Sequence, residues 1–281
     1  MTRPVALLLA AALAGVATPA LAQHWRTLDA SRQLRDTTPL AVRIEYAAGT
    51  LDVRPVASGD LYTLHLKYDA DRSEPLSRYD SAARSLVLGV RSHRVMWNHG
   101  DRDGGAMQAQ LSTRVPMDLT VEIGAGEGTL ELGGLRLTDL VVKGGAADAT
   151  ISFDAPNPVP MRTMRLEAGA ASVKVQHAAN AGTERVNATV GVGGLDLDFT
   201  GPLARDLDIT ASVALGDLTL RVSPEVGVYV DARSFLGSLK NSGLVKRNDG
   251  WYSAGYDTAR RHVRVRLRAF IGGFTLRRTA D

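Results

Sequence analysis

The chain contains no cysteine, which excludes disulfides and thiol chemistry. Aromatic residues make up only 5% of its 281 residues, and 33 basic residues stand against 30 acidic ones. Proteins that bind nucleic acid usually combine a basic stripe with stacking aromatic side chains, so this class is excluded too. No apolar run after the N-terminal region reaches the length of a membrane span, which predicts a soluble mature protein without a transmembrane segment.

The N-terminus has the pattern of a secretory leader. Arg3 precedes an apolar run from Val5 to Ala14, and an A-x-A cleavage motif ends at Ala22. The pattern predicts a signal peptide over residues 1–22, with cleavage after Ala22 and a periplasmic or secreted protein. An uncleaved N-terminal anchor is the alternative interpretation.

Short alternating runs recur through the rest of the chain, each after a glycine-containing turn. The first inward apolar residues of these runs are about 22 residues apart until the last gap: Leu130, Ile151, Val173, Leu195, Leu218, Leu239 and Phe274. A second alternating run precedes each of them, beginning at Leu119, Leu140, Met164, Val186, Leu207, Val228 and Val263. The offset between the two runs changes only in steps of two. Every side chain therefore keeps its face, because strand side chains alternate with period two.

This repeat predicts an all-β fold, a parallel β-solenoid of about seven to eight two-strand units of ~22 residues. A sandwich of hairpins is the competing arrangement. Opposite charges at equivalent positions favour the stack, as in the column Glu122, Lys143 and Glu167. Lys174 is likewise expected beside Asp196, and Asp198 beside Arg221. The glycines of "GAGEGTLEL", Gly124 to Leu132, are interpreted as a corner of one unit. A dinucleotide-type phosphate loop would need a helix after its glycines, and an alternating strand follows here.

The stretch "VPMDLTVEIGAGEGTLELGGLRLTDLVVKGGAADATISF" resembles the toast-rack family of bacterial envelope proteins. More distantly, it is similar to the C-terminal domain of LiaF-type cell-wall-stress regulators and to β-solenoids described as candidate adhesins. The resemblance runs from about Leu40 to the C-terminus. It implies a β-solenoid, and it carries no catalytic residues over to this chain. LiaF-type regulators carry transmembrane helices before this domain, whereas this chain has only the predicted leader.

Two interruptions break the repeat. The N-terminal part, 23–117, is predicted to hold one further unit at 40–53 and an inserted hairpin, "LYTLHLKYD" with "SLVLGVRS", that caps the open end. The repeats themselves are predicted over 118–281. Between Lys240 and Val263, the segment "NDGWY" predicts a lid or a hairpin at the other end.

No catalytic, cofactor-binding or metal-binding residue is predicted. The loop carrying His99, Asp101 and Asp103 faintly resembles a calcium site, but it lacks the full spacing and is interpreted as a hairpin tip. The histidines show no zinc spacing, and no G-x-S-x-G motif is present. The best carboxylate cluster, consisting of Asp196, Asp198, Asp206 and Asp208, is expected to lie beside basic residues as a solvated face.

The most distinctive charge feature is a basic strip near the C-terminus. Its arginines, with the aromatic pair of the preceding interruption, form the candidate partner-binding surface: Arg264, Arg266, Arg268, Trp251 and Tyr252. The strip could contact an envelope protein, an anionic glycan or a membrane surface. Protection of the edge of the last unit is the structural alternative.

The function predicted is that of a non-enzymatic envelope scaffold, adhesin-like module or stress-associated binding protein. A β-helical enzyme acting on envelope polysaccharide and a regulator of a membrane partner are the alternatives.

Overall fold

The computed structural model describes residues 24–92, 105–232, 235–240, 243–247, 249–268 and 270–279. The predicted leader, the loop with His99, Asp101 and Asp103, and Asn248 lie outside these residues. Two short 3₁₀ helices, Ala178–Ala181 and Tyr256–Thr258, are the only helices in the described part. The strands of the N-terminal half are β1 (Trp25–Gln33), β2 (Leu40–Val56), β3 (Asp60–Asp69), β4 (Ser73–Asp80), β5 (Ser85–Ser92), β6 (Gly105–Ser112), β7 (Pro116–Glu131) and β8 (Arg136–Ser152).

The strands of the C-terminal half are β9 (Met161–Gln176), β10 (Thr183–Phe199), β11 (Leu207–Val222), β12 (Gly227–Asp231), β13 (Phe235–Lys240), β14 (Leu244–Arg247), β15 (Gly250–Ser253), β16 (His262–Arg268) and β17 (Phe270–Arg278). All seventeen belong to one mixed sheet. The protein is therefore all-β.

Each long strand bends at a corner in its middle. In β10 the buried residues are even-numbered from Val186 to Val190 and odd-numbered from Leu195 onward. The alternation changes phase at Gly193, which has φ +139°. A Cβ at Gly193 would lie 2.0 Å from the carbonyl oxygen of Ala171 in the neighbouring strand. Such a corner needs a residue without a side chain, since a left-handed φ and a close backbone approach coincide there.

The corners stack because the long strands pair in parallel. We call each bent strand, or each pair of consecutive strands that share a corner, a row. Across the sheet the rows lie in the order β5–β6, β2, β7, β8, β9, β10, β11, β16–β17 and β12–β13. Parallel pairing throughout these rows shows that the sandwich of hairpins is wrong for the repeats.

The register agrees with the sequence pattern to within two-residue steps. Leu119 is the partner of Leu140, and Glu122, Lys143 and Glu167 form one column, as expected. Val186, however, lies opposite Ile209 rather than Leu207. A two-residue shift leaves each side chain on the same face, so the buried pattern survives it.

Three features of the predicted stack require correction. The expected count of seven to eight parallel units is not confirmed, because the sheet contains antiparallel as well as parallel strand pairs. The last unit in the chain, β16–β17, does not end the stack but lies between β11 and β12–β13. The two segments expected to form the N-terminal hairpin do not pair with each other, since β5 pairs with β2 and β4 while β3 pairs with β6 and β1.

Antiparallel strands cover both ends of the stack. At the N-terminal end, β4 pairs with β5, and β3 pairs with β6. At the other end the hairpin β14–β15 lies against β12, as the "NDGWY" segment predicted. These caps satisfy backbone groups that an open terminal row would offer to other chains.

Inside the bend the two halves of each row share a single hydrophobic core. Val190 and Leu195, on either side of one corner, belong to the same buried cluster. Its largest fully buried side chains are Phe153, Phe199 and Phe274. Burial of a side chain of this size contributes about 1.5–3 kcal/mol, so the stack is stabilised mainly by aliphatic and aromatic contacts between rows.

Candidate partner-binding surface

The arginine strip lies on β16, inside the sheet. Arg264, Arg266 and Arg268 point outward, while the residues between them, Val263, Val265 and Leu267, are buried. β16 pairs with β11 on one side and with β12 on the other. The interpretation of the strip as protection of an edge is therefore wrong, because both edges of β16 are already paired.

Two aspartates neutralise much of this strip. The Arg264 guanidinium lies 3.4 Å from Asp206 Oδ2 and 3.7 Å from Asp208 Oδ1. Arg266 lies 3.9 Å from the same Asp208 oxygen. Asp206 also accepts a hydrogen bond of 3.0 Å from the His262 backbone N–H, which fastens the start of β16. Both arginines keep more than two fifths of the side chain exposed, so they remain accessible but are not free charges.

Arg268 differs from the other two. It lies at the end of β16 nearest the corner, opposite the neutral Ser212 of β11. Its side chain is exposed, and it has no ion pair with any residue in the described part of the chain. An anionic partner would meet Arg268 without first displacing a carboxylate of the protein itself.

The aromatic pair divides between the core and the surface. Trp251 lies opposite Val230 of β12 and packs against the core. Tyr252 stands on the outer face beside Tyr229, with ring centroids 4.9 Å apart, and the Arg247 guanidinium lies 4.5 Å from the centroid of the Tyr252 ring. The Tyr252 hydroxyl donates a 2.8 Å hydrogen bond to Asp249, which raises the pKa of Tyr252 to about 12. Both side chains are partly exposed, and Tyr252 is the one of the pair that stands on the outer face.

Three aspartates of the carboxylate cluster lie beside arginines, as expected, whereas Asp198 is held by a hydroxyl group. Asp196 forms a two-pronged ion pair with Arg221 at 2.6 and 2.9 Å. Asp198 accepts a 2.7 Å hydrogen bond from Thr200. Asp206 and Asp208 face the arginines of β16. Among residues 24–279 that the structure describes, no group of three metal-ligating side chains comes together.

An open cleft of about 520 Å³ lies over the corners of the first rows. Tyr46, Arg91, Glu122 and Lys143 line it. The buried Tyr46 hydroxyl makes no hydrogen bond to the described residues, and burial raises its pKa. Glu122 pairs with Arg43 at 2.7 Å and with Lys143 at 3.2 Å, which leaves this cleft without an unpaired acid–base couple.

Sequence reasoning missed one group of exposed residues. The residue before the corner glycine is a large aliphatic in each of the last four rows, and its exposed fraction exceeds one half. We call these residues the aliphatic column: Val192 (54%), Leu215 (56%), Ile271 (51%) and Leu236 (73%). The signal was present as a repeated aliphatic–glycine pair, as in "VGVGG", "ALGD", "FIGG" and "FLGS". It was overlooked because exposure at a corner does not follow the strand alternation.

In the described part of the chain, no helix has the length and apolar character needed to cross a membrane. Bent parallel strands stacked in register, with antiparallel strands over both ends, define an all-β repeat protein. More specifically, the chain belongs to the toast-rack family: residues 23–176, more than half of the chain, match the family model for the N-terminal domain of toast_rack. This agrees with the resemblance noted in the sequence.

Solved structures with a similar outline share little sequence with the chain. A candidate cell adhesion protein from Clostridium sporogenes is 12% identical with a TM-score of 0.44, over 90% of this chain and 100% of that one. A candidate adhesin from Bacteroides fragilis is 11% identical, again with a TM-score of 0.44, over 91% of this chain and 98% of that one. No curated protein matches the chain. At these scores the likenesses carry no functional argument.

Proposed function

We propose that the protein is a non-enzymatic, exported binding protein of the bacterial cell envelope, a scaffold or adhesin-like module. Membership of the toast-rack family supports this proposal. The leader pattern at residues 1–22 supports export to the periplasm or the cell surface. The finer architecture, a parallel solenoid of repeated units, supplies a long and regular outer surface of the kind that repeat proteins use for binding.

The observation that carries the proposal is the separation of charge along the stack. Residues 40–199 contain 20 acidic and 16 basic residues, whereas residues 207–281 contain 7 acidic and 12 basic ones. The net charges are therefore −4 and +5. The basic end carries Arg264, Arg266 and Arg268 on its outer face, and an uneven field of this kind attracts and orients an anionic partner. The partner-binding surface comprises these arginines together with Tyr252, and Trp251 supports it from the core side.

The enzymatic alternative lacks a specific observation in its favour. A polysaccharide-cleaving site needs at least two carboxylates free for acid–base work. The four clustered aspartates are instead held by arginines or by Thr200. The described histidines and acids form isolated pairs, such as His65 with Asp29 at 2.6 Å.

A capture experiment from envelope extract tests the proposal. The bait is the exported chain, and the informative change is Arg268→Glu, because Arg268 can be reversed without leaving a paired aspartate behind. The matched control is Arg78→Glu on β4, where the exposed Arg78 lies opposite Val87 and, like Arg268, has no ion pair with a described residue. We expect wild type and the control to recover the same anionic material and Arg268→Glu to recover at least about fivefold less. Equal recovery by all three baits contradicts the proposed surface.

A further inference from the structure

The aliphatic column forms a straight apolar ridge along the outside of the bend. Val192 lies opposite Leu215, and Ile271 opposite Leu236. Leu215 and Ile271 come next to each other because the glycines that follow them, Gly216 and Gly272, are register partners. Neighbouring strands are about 4.8 Å apart, so four side chains in line span roughly 14 Å. Such a line at the apex of a bend can touch a flat surface with all four residues at once.

Folding does not require these large side chains. The equivalent positions in β2, β7, β8 and β9 are alanines, at residues 48, 125, 146 and 170, on the same bent backbone. Of the five large apolar side chains exposed in the described residues, four belong to the aliphatic column. Apolar residues scattered singly on a surface need no explanation, but an aligned group is typical of an interaction site.

The charge around the ridge indicates what covers it. Three of the four ridge residues, Leu215, Leu236 and Ile271, lie in the basic part of the chain, which has a net charge of +5 over residues 207–281. Arg268 is exposed next to the corner of its own row and opposite Ser212. Among the described residues of the ridge rows, Asp217 is the exposed acid at the corner, and it accepts a 3.0 Å hydrogen bond from the Gly273 backbone, which directs it at the protein. An apolar line flanked by positive charge matches the interface of an anionic lipid bilayer.

We propose that the aliphatic column and Arg268 dock the protein peripherally on an anionic lipid surface. The inference deepens the proposed envelope function and rests on it, because export brings the chain to a membrane surface. The four aliphatic side chains enter the acyl boundary, and the arginine meets lipid phosphates.

A second copy of the chain is a poorer occupant of the ridge. A two-fold contact would place the same basic region of both copies together, and like charges oppose that pairing. Four aliphatic side chains also fall short of the about 800 Å² per partner that a stable protein interface buries. A bilayer demands neither shape complementarity nor a large closed area.

Vesicle flotation tests this inference. The probes are vesicles of phosphatidylcholine alone and of phosphatidylcholine mixed equally with phosphatidylglycerol. The exported chain is used, and its N-terminus is checked by mass spectrometry so that an attached leader does not contribute. The test variant is Leu215→Ser with Ile271→Ser. Its matched control is Val245→Ser, since Val245 is 61% exposed but lies away from the ridge.

We expect wild type to float with the phosphatidylglycerol vesicles, and less of it to do so as salt is raised. The double serine variant should bind at least about tenfold more weakly, Arg268→Glu about fivefold more weakly, and Val245→Ser like wild type. No flotation of wild type, or equal flotation of the serine variant, overturns the inference. If wild type does not float, and light scattering shows that the serine variant has a different oligomeric state from wild type, the ridge is assigned to contact with a second copy instead. Capture from envelope extract distinguishes the two proposals. If the recovery of non-lipid material depends on Arg268 but not on the aliphatic column, the proposed function holds and the lipid inference fails.

Discussion

The rows toward the two ends of the stack bend at the same register position and differ in the residue before the corner. The rows of β2, β7, β8 and β9 place an alanine before the corner, and those of β10, β11, β16–β17 and β12–β13 place valine, leucine or isoleucine there. Residues 40–176, which include the alanine rows, carry 17 acidic and 15 basic residues, whereas residues 183–281, which include the aliphatic rows, carry 11 acidic and 14 basic ones. The bend therefore depends on the corner residue. The residue before the corner can be small or large without changing the bend.

The corner position also differs between rows. Gly49, Gly126, Gly193, Gly216 and Gly272 have positive φ there, whereas Ala147 and Ala171 occupy the same column without it. The bend can therefore be made in two ways, with a left-handed glycine or with an alanine of ordinary φ. A glycine with positive φ cannot accept a side chain without moving its neighbour.

The largest effect is expected from a side chain at a left-handed corner. In Gly216→Ala the new Cβ would lie 1.7 Å from the Gly193 carbonyl oxygen, at φ +151°. Because strain and a backbone clash add together, the free energy of unfolding should fall by about 3 kcal/mol or more, as measured by urea denaturation. Gly194→Ala is the control, since a Cβ there meets nothing within 4 Å, and it should change stability by less than about 1 kcal/mol. Equal losses in the two variants would show that the corner is not the constraint.

A smaller effect is expected when the alanine rows are given aliphatic corners. Ala146→Leu with Ala170→Leu extends the ridge by two rows, and both positions are exposed. The free energy of unfolding should change by less than about 1 kcal/mol, because surface substitutions away from strain cost little. Binding to phosphatidylglycerol vesicles should rise about three- to tenfold. A stable variant with unchanged binding would show that apolar side chains act only in the basic part of the chain.

The smallest effect concerns acidic pH at the two capped ends. Hydrogen bonds from Thr38 and Arg84 lower the pKa of Asp36 below 3.8, and a hydrogen bond from Arg247 lowers that of Asp257. A lowered pKa in the folded state contributes stability that is present above pH 3.8 and lost as the pH falls through the folded value. Carboxyl NMR titration should show both groups titrating below 3.8. In Arg247→Gln the pKa of Asp257 should return toward 3.8, while the pKa of Asp36 stays low. A shift of both pKa values would contradict the expectation that the two capped ends behave independently.

Much of the fold could be predicted from the sequence because strand faces alternate strictly. The column of Glu122, Lys143 and Glu167 was placed correctly, and so was the pairing of Lys174 with Asp196. Arg221 was expected beside Asp198 and is its register partner, but its ion pair reaches diagonally to Asp196. Long side chains choose between neighbours by local geometry, which register alone does not decide.

The surroundings of the arginine strip could be predicted less well than the fold. Arg264 and Arg266 were expected on the outer face and lie there, but their partners Asp206 and Asp208 became apparent only with β16 placed beside β11. The aliphatic column requires β10, β11, β17 and β13 to lie in that order. Val192 and Ile271 are 79 residues apart in the chain, and no local pattern shows that they share a ridge.

By itself the sequence determined which residues face the core, where the rows bend and, to within two residues, the register of rows that are consecutive in the chain. These are local properties, set by the alternation of side chains and by the steric demands of each corner. Only the tertiary structure decided the order of the rows and the covering of the two ends. Rows with the same alternating pattern are nearly interchangeable as hydrogen-bonding partners, so the choice among them is made by the packing of the whole stack.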